Sequence, residues 1–393
     1  MKVLHIAASM SPEWGGPTKV IAGLTKALVE KGINVSVFAP IADGEDINTC
    51  ELKGVDIKLF PKGFLSRFWT SYSSSLAKAL MREVYNFDLI HIHEIWHRPH
   101  YVAHRVAKRF DKPYLVTIHG ALEPWCLNYK AFKKKIYGRL IQKRILKEAS
   151  LLHAITENEV KNIKAFVINN TPIVMIPNGI NLQEFQNLPP KEDVVKFYPQ
   201  LKDKKIILFL GRIHPKKGLD LLAKAFAKIS QEVEDIYLLV VGPDDEGYQA
   251  QIEKLLAKEG VLNKVIFTGM LTGYKKLAAL SGANFFVLPS YSEGFSMSIL
   301  EAMACGLPVI VTTGCNFPEV AEYNAGIVIN PDVDELAKAM TTLLVGTRHG
   351  VSNMEKNGKR LVLEKYTWDK VADKMITAYE EILGSRKADM EAI

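Results

Sequence analysis

The feature that most constrains this chain is the regular alternation of short apolar runs with segments of helical period. Strand-sized apolar runs recur in both halves: Val3–Ala7, Val35–Phe38, Asp88–His93, Tyr114–Thr117, Leu151–Ala154, Val174–Ile176, Lys205–Leu210, Ile236–Val241, Val265–Thr268, Phe285–Leu288 and Pro308–Thr312. Strands that alternate with helices are typical of parallel sheets covered by helices on both faces. The sequence therefore predicts an α/β fold of two Rossmann-like domains, with the default ligand site in the cleft between them.

The length of the chain also favours two domains. It has 393 residues, whereas a single domain usually holds ~100–200. The best candidate linker is Ile180–Lys191, which follows an Asn-Gly pair and contains a Pro-Pro pair. We therefore expect domains at residues 1–185 and 186–367. Apolar residues at helical spacing predict a last helix at about 368–385.

Composition excludes several classes of protein. Hydrophobic residues make up 48% of the chain and charged residues 24%, which excludes a disordered or collagen-like chain. Apolar runs are far shorter than the ~20 residues of a membrane span. The N-terminus leads directly into a predicted strand rather than a signal peptide, and the four cysteines have no C-x-x-C spacing. We expect a cytoplasmic protein in a reducing compartment.

The basic charge is concentrated in the first half. Residues 1–180 hold 25 Lys and Arg against 15 Asp and Glu, and Lys130–Lys147 alone contains eight basic residues and no acid. Apolar residues recur in this segment at helical spacing, so it predicts a basic amphipathic helix suited to an anionic membrane surface or a lipid-linked acceptor. A surface helix that packs its apolar side on the sheet gives the same pattern. Nucleic acid is disfavoured because few aromatic residues lie among the basic ones.

Two glycine-containing turns follow predicted strands and open predicted helices. Gly15 and Gly16 stand where backbone N–H groups at a helix start can bind phosphate. The segment GRIHPKKG, Gly211–Gly218, places Arg212 and Lys217 at the end of a parallel strand, where a guanidinium and an ammonium suit a diphosphate. An ordinary glycine turn and a solvated basic turn remain the alternatives.

A third segment, PSYSEGFSMSILEA, places two carboxylates eight residues apart. Glu293 lies in the turn after a strand and Glu301 in the next helix. If that helix begins near Ser296, its free N–H groups lie beside Glu293. The two acids can then accept hydrogen bonds from the hydroxyls of a sugar and of a ribose. Two unrelated surface acids are the alternative.

Together, the Gly-Gly pair, GRIHPKKG, IPNGIN and PSYSEGFSMSILEAMACGLPVI resemble, in order and spacing, the retaining glycosyltransferases of family 4, which have the GT-B fold. The resemblance runs from residue 5 to about 330, and its combination of motifs is specific. It implies that the last helix crosses back to join the first domain. The turn Gly242-Pro243-Asp244 departs from the family's usual G-x-G, which puts nucleotide contacts there in doubt.

The resemblance also implies a role for each matching residue. Gly15 and Gly16 match the loop that holds the donor's phosphates, and Arg212 and Lys217 match the pair that neutralises the leaving diphosphate. Glu293 matches the acid that contacts the transferred sugar. The remaining matches are the amides of Gly294, Phe295 and Ser296 beside that acid, Glu301 at the nucleotide's ribose, and His119 near the reactive carbon and the 6-hydroxyl of the sugar.

The implied chemistry needs no metal or cofactor other than the donor itself. Fixed positive groups aimed at the leaving diphosphate supply the largest kind of catalytic stabilisation. The sequence offers no carboxylate that we would assign as the nucleophile of a double displacement. We therefore favour substitution on the same face of the sugar, with the leaving phosphate assisting deprotonation of the acceptor.

One motif points elsewhere. His93-Glu94-Ile95-Trp96-His97 satisfies the H-E-x-x-H pattern of zinc proteases. That chemistry requires both histidines on one face of a continuous helix. His93 ends a strand-like run and Pro99 obstructs a helix through the segment, so we do not expect zinc here.

The sequence thus predicts an enzyme that moves a hexose from a nucleotide-diphosphate sugar to a saccharide or lipid-linked saccharide. Within the family, the loop His119–Trp125, HGALEPW, followed by the Lys-rich segment resembles bacterial enzymes of exopolysaccharide and lipopolysaccharide assembly. UDP-glucose is the first choice of donor and GDP-mannose the second. The basic segment extends the prediction to peripheral contact with the inner face of the plasma membrane. A GT-B-like sugar-nucleotide epimerase and a non-catalytic binder of anionic polymers remain the alternatives.

Overall fold

The computed structural model of the protein describes residues 1–11, 14, 16–42, 44, 52–67, 69–128, 131–168, 170–244 and 246–391. Its strands are β1 (Lys2–Ile6), β2 (Asn34–Ile41), β3 (Asp56–Pro61), β4 (Leu89–His93), β5 (Tyr114–Thr117), β6 (Leu151–Ala154), β7 (Ile173–Met175), β8 (Lys205–Leu210), β9 (Ile236–Val241), β10 (Val265–Phe267), β11 (Phe285–Leu288), β12 (Val309–Thr312) and β13 (Gly326–Ile329). Its α-helices are α1 (Gly16–Glu30), α2 (Ser74–Glu83), α3 (Arg98–Arg109), α4 (Pro124–Asn128), α5 (Ala131–Tyr137), α6 (Lys143–Lys147), α7 (Glu157–Phe166), α8 (Asp193–Phe197), α9 (Leu219–Ile229), α10 (Gln249–Lys258), α11 (Gly273–Gly282), α12 (Met297–Ala304), α13 (Glu319–Glu322), α14 (Val333–Val345), α15 (Arg348–Lys365) and α16 (Trp368–Glu391).

The chain divides into two compact units. Unit 1 comprises Met1–Gly179 and Trp368–Ile393, and unit 2 comprises Ile180–Thr367. The backbone N–H of Ile180 donates to the carbonyl of Tyr366 at 2.7 Å, which ties the start of unit 2 to its end. The segment predicted as a linker is therefore not a free connection, because Ile180 and Phe185 are buried in the core of unit 2. The expected domain limit at residue 185 lies inside this packed segment.

Each unit is built on a parallel sheet. The strand order is β3-β2-β1-β4-β5-β6-β7 in unit 1 and β10-β9-β8-β11-β12-β13 in unit 2. Central strands such as β4 and β11 are buried along their whole length, as expected for sheets with helices on both faces. The predicted fold of two parallel-sheet α/β domains is confirmed.

The strand order reverses next to the first strand of each sheet. In unit 1 the reversal lies between β1 and β4, and in unit 2 between β8 and β11. Ligands of open parallel sheets bind beyond the carboxyl ends of the strands at this reversal. The loops that follow these strands are therefore where a site is expected.

The last helix, α16, packs on α1 in unit 1. A Cβ atom on Gly23 of α1 would lie 2.2 Å from the indole of Trp368, so this close approach requires glycine. Met375 and Tyr379 of α16 are fully buried in the same core. The end of the chain is thus an integral part of the first sheet's packing.

The segment Lys130–Lys147, predicted as one helix, is helical without a break from Ala131 to Lys147, with a π-helical stretch between α5 and α6. Lys130 itself lies outside the described residues. Ile145 and Leu146 are buried, and Ile141 is partly buried against the same core, so the apolar side packs on the unit in the second half of the segment. Three apolar side chains at four-residue spacing are exposed instead: Phe132 at 77%, Ile136 at 47% and Leu140 at 69%. In the part of the chain that the structure describes, no helix has the length and apolar character needed to cross a bilayer.

Candidate active site

In unit 2 the loops after β8 and β11 meet at the reversal of the strand order. Gly218 ends the loop after β8 with a φ of 69°, and a Cβ atom there would lie 2.0 Å from the carbonyl oxygen of Pro289. Only glycine fits this approach. The backbone N–H of Tyr291 donates to the carbonyl of Lys216 at 2.9 Å. These contacts hold the loop that carries Arg212 and Lys217 against the loop that carries Glu293.

Lys217 and Glu293 form an ion pair at this junction. The Lys217 Nζ lies 2.6 Å from Glu293 Oε1, and the hydroxyl of Ser290 donates to the same oxygen at 2.6 Å. Only 8% of the Glu293 side chain and 16% of the Lys217 side chain are exposed, so the pair is shielded from solvent. Two residues that the sequence assigns to different loops are thus brought into contact.

The backbone of Glu293 is fixed as well as its side chain. Its N–H donates to the carbonyl of Gly314 at 2.8 Å, and its carbonyl accepts from the amide of Asn316 at 2.6 Å. Sequence reasoning missed Ser290 and Asn316 as supports. Ser290 stands inside the PSYSEGF motif and could have been noticed, whereas Asn316 follows β12 and is joined to Glu293 only by the fold.

Glu301 lies on α12 and is paired with Lys276. The Lys276 Nζ is 3.0 Å from Glu301 Oε1, and both side chains are 16% exposed. Ser296 precedes α12, but its side chain makes no capping hydrogen bond to the helix. The amides of the first turn of α12 are therefore not capped by Ser296. Sequence reasoning did not single out Lys276.

The other predicted donor-site residues of unit 2 lie around this pair. Arg212 is exposed at the end of β8, in the same loop as Lys217. Gly294 and Ser296 lead from Glu293 into α12, and the ring of Phe295 packs 5.6 Å from that of Phe317. The arrangement can present cationic side chains and helix amides to an anion and a carboxylate to hydroxyl groups.

In unit 1 the loops after β1, β4 and β5 surround the corresponding reversal. Gly15 lies outside the described residues. Gly16 is the first residue of α1, and apart from its chain neighbours and its own helix no heavy atom of the described residues comes within 4 Å of where its Cβ would be. On that side a ligand can approach the backbone. The ring of Trp14 lies 5.4 Å from the ring of His97. The loop after β1 therefore adjoins the start of α3.

His119 is held in a left-handed turn immediately after β5. Its φ is 53°, and its Nε2 lies 3.1 Å from the Nδ1 of His93. Burial lowers the pKa of His119 to about 3, so its imidazole is neutral at pH 7. Glu94 and Trp96 after β4 also have positive φ, of 68° and 77°. Residues held in such backbone conformations cluster at ligand sites.

Glu159 supports the turn that carries His119. Its carboxyl accepts from the backbone N–H of Gly120 and, at 2.7 Å, from that of Ile155. Burial raises the pKa of Glu159 to about 7. Glu159 was not predicted, since its position in the site depends on the packing of α7 beside β5.

A row of buried hydrogen bonds crosses the unit 1 sheet, and its polarity can be worked out. The carbonyl of Ile176 only accepts, so His153 Nε2 carries the proton of their 2.7 Å bond. Burial lowers the pKa of His153 to about 4, so its Nδ1 is an acceptor for the Thr117 hydroxyl at 2.7 Å. The Thr117 oxygen then accepts from His91 Nε2 at 2.6 Å. His91 Nδ1 in turn accepts from the Tyr379 hydroxyl at 2.6 Å.

The H-E-x-x-H segment does not form a zinc-protease site. His93 is the last residue of β4 and His97 precedes the first turn of α3, so the two are not on one helix. Among the described residues, one group has ring nitrogens close enough for a metal, namely His5, His91 and His93, within 4.8 Å of one another. Both nitrogens of His91 and both of His93 are already in hydrogen bonds, so this group does not fit a metal site.

Two family models match most of the chain. Residues 14–184 match the model described as Glycosyltransferase Family 4, and residues 191–361 match the model described as Glycosyl transferases group 1. The first match covers the end of the loop after β1 and the loops after β4 and β5, and the second covers the Lys217–Glu293 pair.

Individual proteins of similar sequence and structure share nearly the whole chain. An uncharacterized glycosyltransferase of Methanocaldococcus jannaschii is 28% identical over 390 residues, covering 93% of this chain and 96% of that protein. A GDP-mannose:cellobiosyl-diphosphopolyprenol alpha-mannosyltransferase of Xanthomonas oryzae pv. oryzae is 23% identical over 399 residues, covering 98% of each. The crystal structure of Anabaena Alr3699/HepE in complex with UDP-glucose is similar with a TM-score of 0.77 at 18% identity, covering 97% of this chain and 100% of that chain. The structural similarity shows a shared fold.

Proposed function

Since the chain belongs to the glycosyltransferases of group 1 and family 4, with the two parallel-sheet α/β domains of the GT-B fold, we propose that it transfers a hexose from a nucleotide-diphosphate sugar to a saccharide or lipid-linked saccharide. The observation that carries this proposal is the Lys217–Glu293 ion pair at the strand reversal of unit 2. It joins a cation suited to a diphosphate and a carboxylate suited to sugar hydroxyls at one point.

In the proposed reaction, binding of the sugar donor breaks the Lys217–Glu293 ion pair. The Lys217 ammonium pairs with the diphosphate of the donor, with Arg212 beside it. The Glu293 carboxylate, released from Lys217, accepts a hydrogen bond from a hydroxyl of the sugar. Fixed cations at the leaving group stabilise the charge that develops there, so the proposal assigns this task to side chains and not to a metal. Transfer is then expected to be insensitive to a chelator.

The proposed stereochemical course is retention by substitution on one face of the sugar. The bond from the anomeric carbon to the diphosphate oxygen breaks, and a bond from the same carbon to the acceptor oxygen forms on the same face. The acceptor's proton passes to the leaving diphosphate. The neutral imidazole of His119 can accept or donate a hydrogen bond at the sugar without adding charge there.

UDP-glucose is the proposed donor. The HepE structure of the same fold contains UDP-glucose, whereas the name of the Xanthomonas relative gives GDP-mannose. A thermal-shift panel of UDP-glucose, GDP-mannose and ADP-glucose separates these, because a ligand at about 100 times its Kd stabilises the folded state by about 2.7 kcal/mol. We expect stabilisation by UDP-glucose. Stabilisation by GDP-mannose alone would reassign the donor, and conversion of the donor to its epimer without acceptor would favour an epimerase.

We also propose that the exposed apolar residues of α5 and the π-helical stretch rest on the cytoplasmic surface of the plasma membrane during polysaccharide assembly. Phe132, Ile136 and Leu140 are exposed beside the basic side chains of Lys135 and Arg139. Apolar residues flanked by Lys and Arg suit the boundary of an anionic bilayer.

Cosedimentation with vesicles tests the membrane proposal. The wild-type protein should bind vesicles containing phosphatidylglycerol, and a Phe132→Ser, Leu140→Ser variant should bind several-fold less. A Lys161→Glu, Lys164→Glu variant is the matched control, because both lysines are exposed on α7 of the same unit. Equal binding by the wild-type and serine variants would remove the membrane contact from the proposal.

A further inference from the structure

A cluster of buried polar atoms without partners lies at the start of α3. Among the described side chains, eleven fully buried polar atoms have no hydrogen-bond partner, and eight of them belong to residues around this helix start. We call these residues the α3 cluster: Ser71, His97, Arg98, His100, Tyr137 and Gln142. Unpaired buried polar groups are rare and costly, so eight such atoms in one place indicate a ligand site.

The elements that carry the cluster are in direct contact. The backbone N–H of Arg98 donates to the carbonyl of Thr70 at 3.1 Å, which brings the segment containing Ser71 to the helix start. The backbone N–H of Trp96 donates to Gln142 Oε1 at 3.3 Å, and the amide nitrogen of Gln142 is left over. The cluster therefore joins three separate parts of unit 1.

The Arg98 guanidinium is the charged member of the cluster. Its central carbon lies 3.9 Å from the ring centre of Trp69 and 4.7 Å from that of Tyr101. The rings hold the cation in place, but Nε and Nη1 are buried without an acceptor. No carboxylate within the described part of the chain forms an ion pair with Arg98. Arg98 as a whole is only partly buried, but buried guanidinium nitrogens without an acceptor are destabilising, so a bound anion would relieve this site.

The other unpaired groups of the cluster also suit an anionic ligand, because they can donate hydrogen bonds. The hydroxyl of Ser71 and the amide nitrogen of Gln142 are donors, and the Tyr137 hydroxyl, whose oxygen can accept from the Trp69 indole, still has its own proton to donate. Each imidazole can present one N–H. His100 is 1% exposed, and neither of its ring nitrogens has a partner. The α3 helix spans 12 residues and its N-cap makes no side-chain hydrogen bond, so its positive end adds to the attraction for an anion.

We propose that the α3 cluster binds a phosphoryl group carried by the sugar acceptor, with the Arg98 guanidinium as its main contact. A phosphoryl group offers only acceptor oxygens, and a guanidinium fork matches two of them. The ring of His97 lies 5.4 Å from that of Trp14, in the loop that leads to Gly16, so the cluster adjoins the loop after β1 in the candidate site of unit 1. The assignment to the acceptor rests on the proposed function, whereas anion binding itself does not.

Calorimetric titration of the full chain with inorganic phosphate tests the site. We expect Arg98→Gln to weaken phosphate binding about ten-fold or more, and Arg98→Lys, which keeps the charge and loses the fork, to weaken it less. Arg105→Gln is the matched control, because Arg105 is exposed on the same helix. Wild-type affinity in Arg98→Gln would overturn the proposal. If that variant does not fold, wild-type affinity in Arg98→Lys would overturn it.

Two further measurements distinguish a site for the acceptor's phosphoryl group from a site for the donor's diphosphate. Phosphate should bind the UDP-saturated protein as tightly as the free protein, and Arg98→Gln should keep wild-type affinity for UDP. Displacement of phosphate by UDP, or equal loss of phosphate and UDP binding in the variant, would assign the guanidinium to the donor and refute the proposal. A wild-type protein that binds phosphate through Arg98 but turns over no nucleotide sugar would refute the proposed function and leave the anion site standing.

Discussion

Replacing Tyr379 by Phe tests the buried hydrogen-bond row of unit 1. The substitution keeps the ring and removes only the hydroxyl that donates to His91 Nδ1 at 2.6 Å. Tyr379 and His91 are both 0% exposed, so water does not reach the vacated position. The nitrogen of His91 is then left as a buried acceptor without a donor.

The expected cost follows from that orphaned nitrogen. A buried polar group that loses its partner destabilises a protein by about 1–3 kcal/mol. For a unit of this size each kcal/mol lowers the melting temperature by about 2–4 °C. Urea unfolding followed by circular dichroism measures the free energy. Tyr85→Phe is the control: its side chain is 64% exposed, and we expect a change within about 0.5 kcal/mol.

The direction of the hydrogen bonds in this row also determines the tautomers of His91 and His153. Nitrogen-15 spectra of the histidine rings should show both His91 and His153 protonated at Nε2, since the row ends on the Ile176 carbonyl. Unchanged stability of Tyr379→Phe would show that this hydrogen bond does not stabilise the unit, and protonation of His91 at Nδ1 would show that the derived polarity is wrong.

Three other outcomes follow from the structure. Burial lowers the pKa of His5 and His119 to about 3 and of His153 to about 4. The unfolded chain therefore binds more protons below pH 6.5, and the urea midpoint should fall as pH drops from 6.5 to 4; a flat midpoint would contradict these pKa values. The raised pKa of Glu94 and of Glu159 has the opposite effect, because these carboxyls favour the folded state as pH falls. Two carboxyls are set against the three imidazoles, so the loss of stability should prevail. Gly23→Ala should destabilise by about 1–3 kcal/mol through its clash with Trp368, whereas Gly384→Ala, with open space around it, should not destabilise. Sugar transfer should survive EDTA, and loss of transfer restored by a divalent metal would contradict the proposed role of Arg212 and Lys217.

The sheets could be predicted largely from apolar runs, and for one of the two missed strands the failure has a physical cause. β3 and β13 were missed, and both are edge strands whose residues are mostly only partly buried. β3 carries Asp56 and Lys58 among its apolar residues, as a strand that pairs on one side can, whereas β13 is a short apolar run, Gly326–Ile329, that was overlooked. β6 and β11 are central and fully buried, and their predicted bounds are the observed ones.

The site could be predicted only where a short motif carries it. Lys217 and Glu293 were recognisable from their own motifs, but their 2.6 Å contact depends on β8 pairing with β11 across the chain. Lys276 and Asn316 have no motif of their own. His5 was not recognised as a partner of His91, because that pairing requires the register of β1 against β4. The α3 cluster likewise depends on segments that are distant in sequence.

The central claim is that Lys217 acts on the donor together with Glu293. The most direct measurement is kcat/KM for donor consumption in Lys217→Gln, with Lys224→Gln, exposed on α9 of the same unit, as the matched control. Losing one fixed group that stabilises transition-state charge costs about 10²–10³-fold. We predict a loss of that size in Lys217→Gln and wild-type turnover in Lys224→Gln. Turnover within two-fold of wild type in Lys217→Gln would contradict the claim.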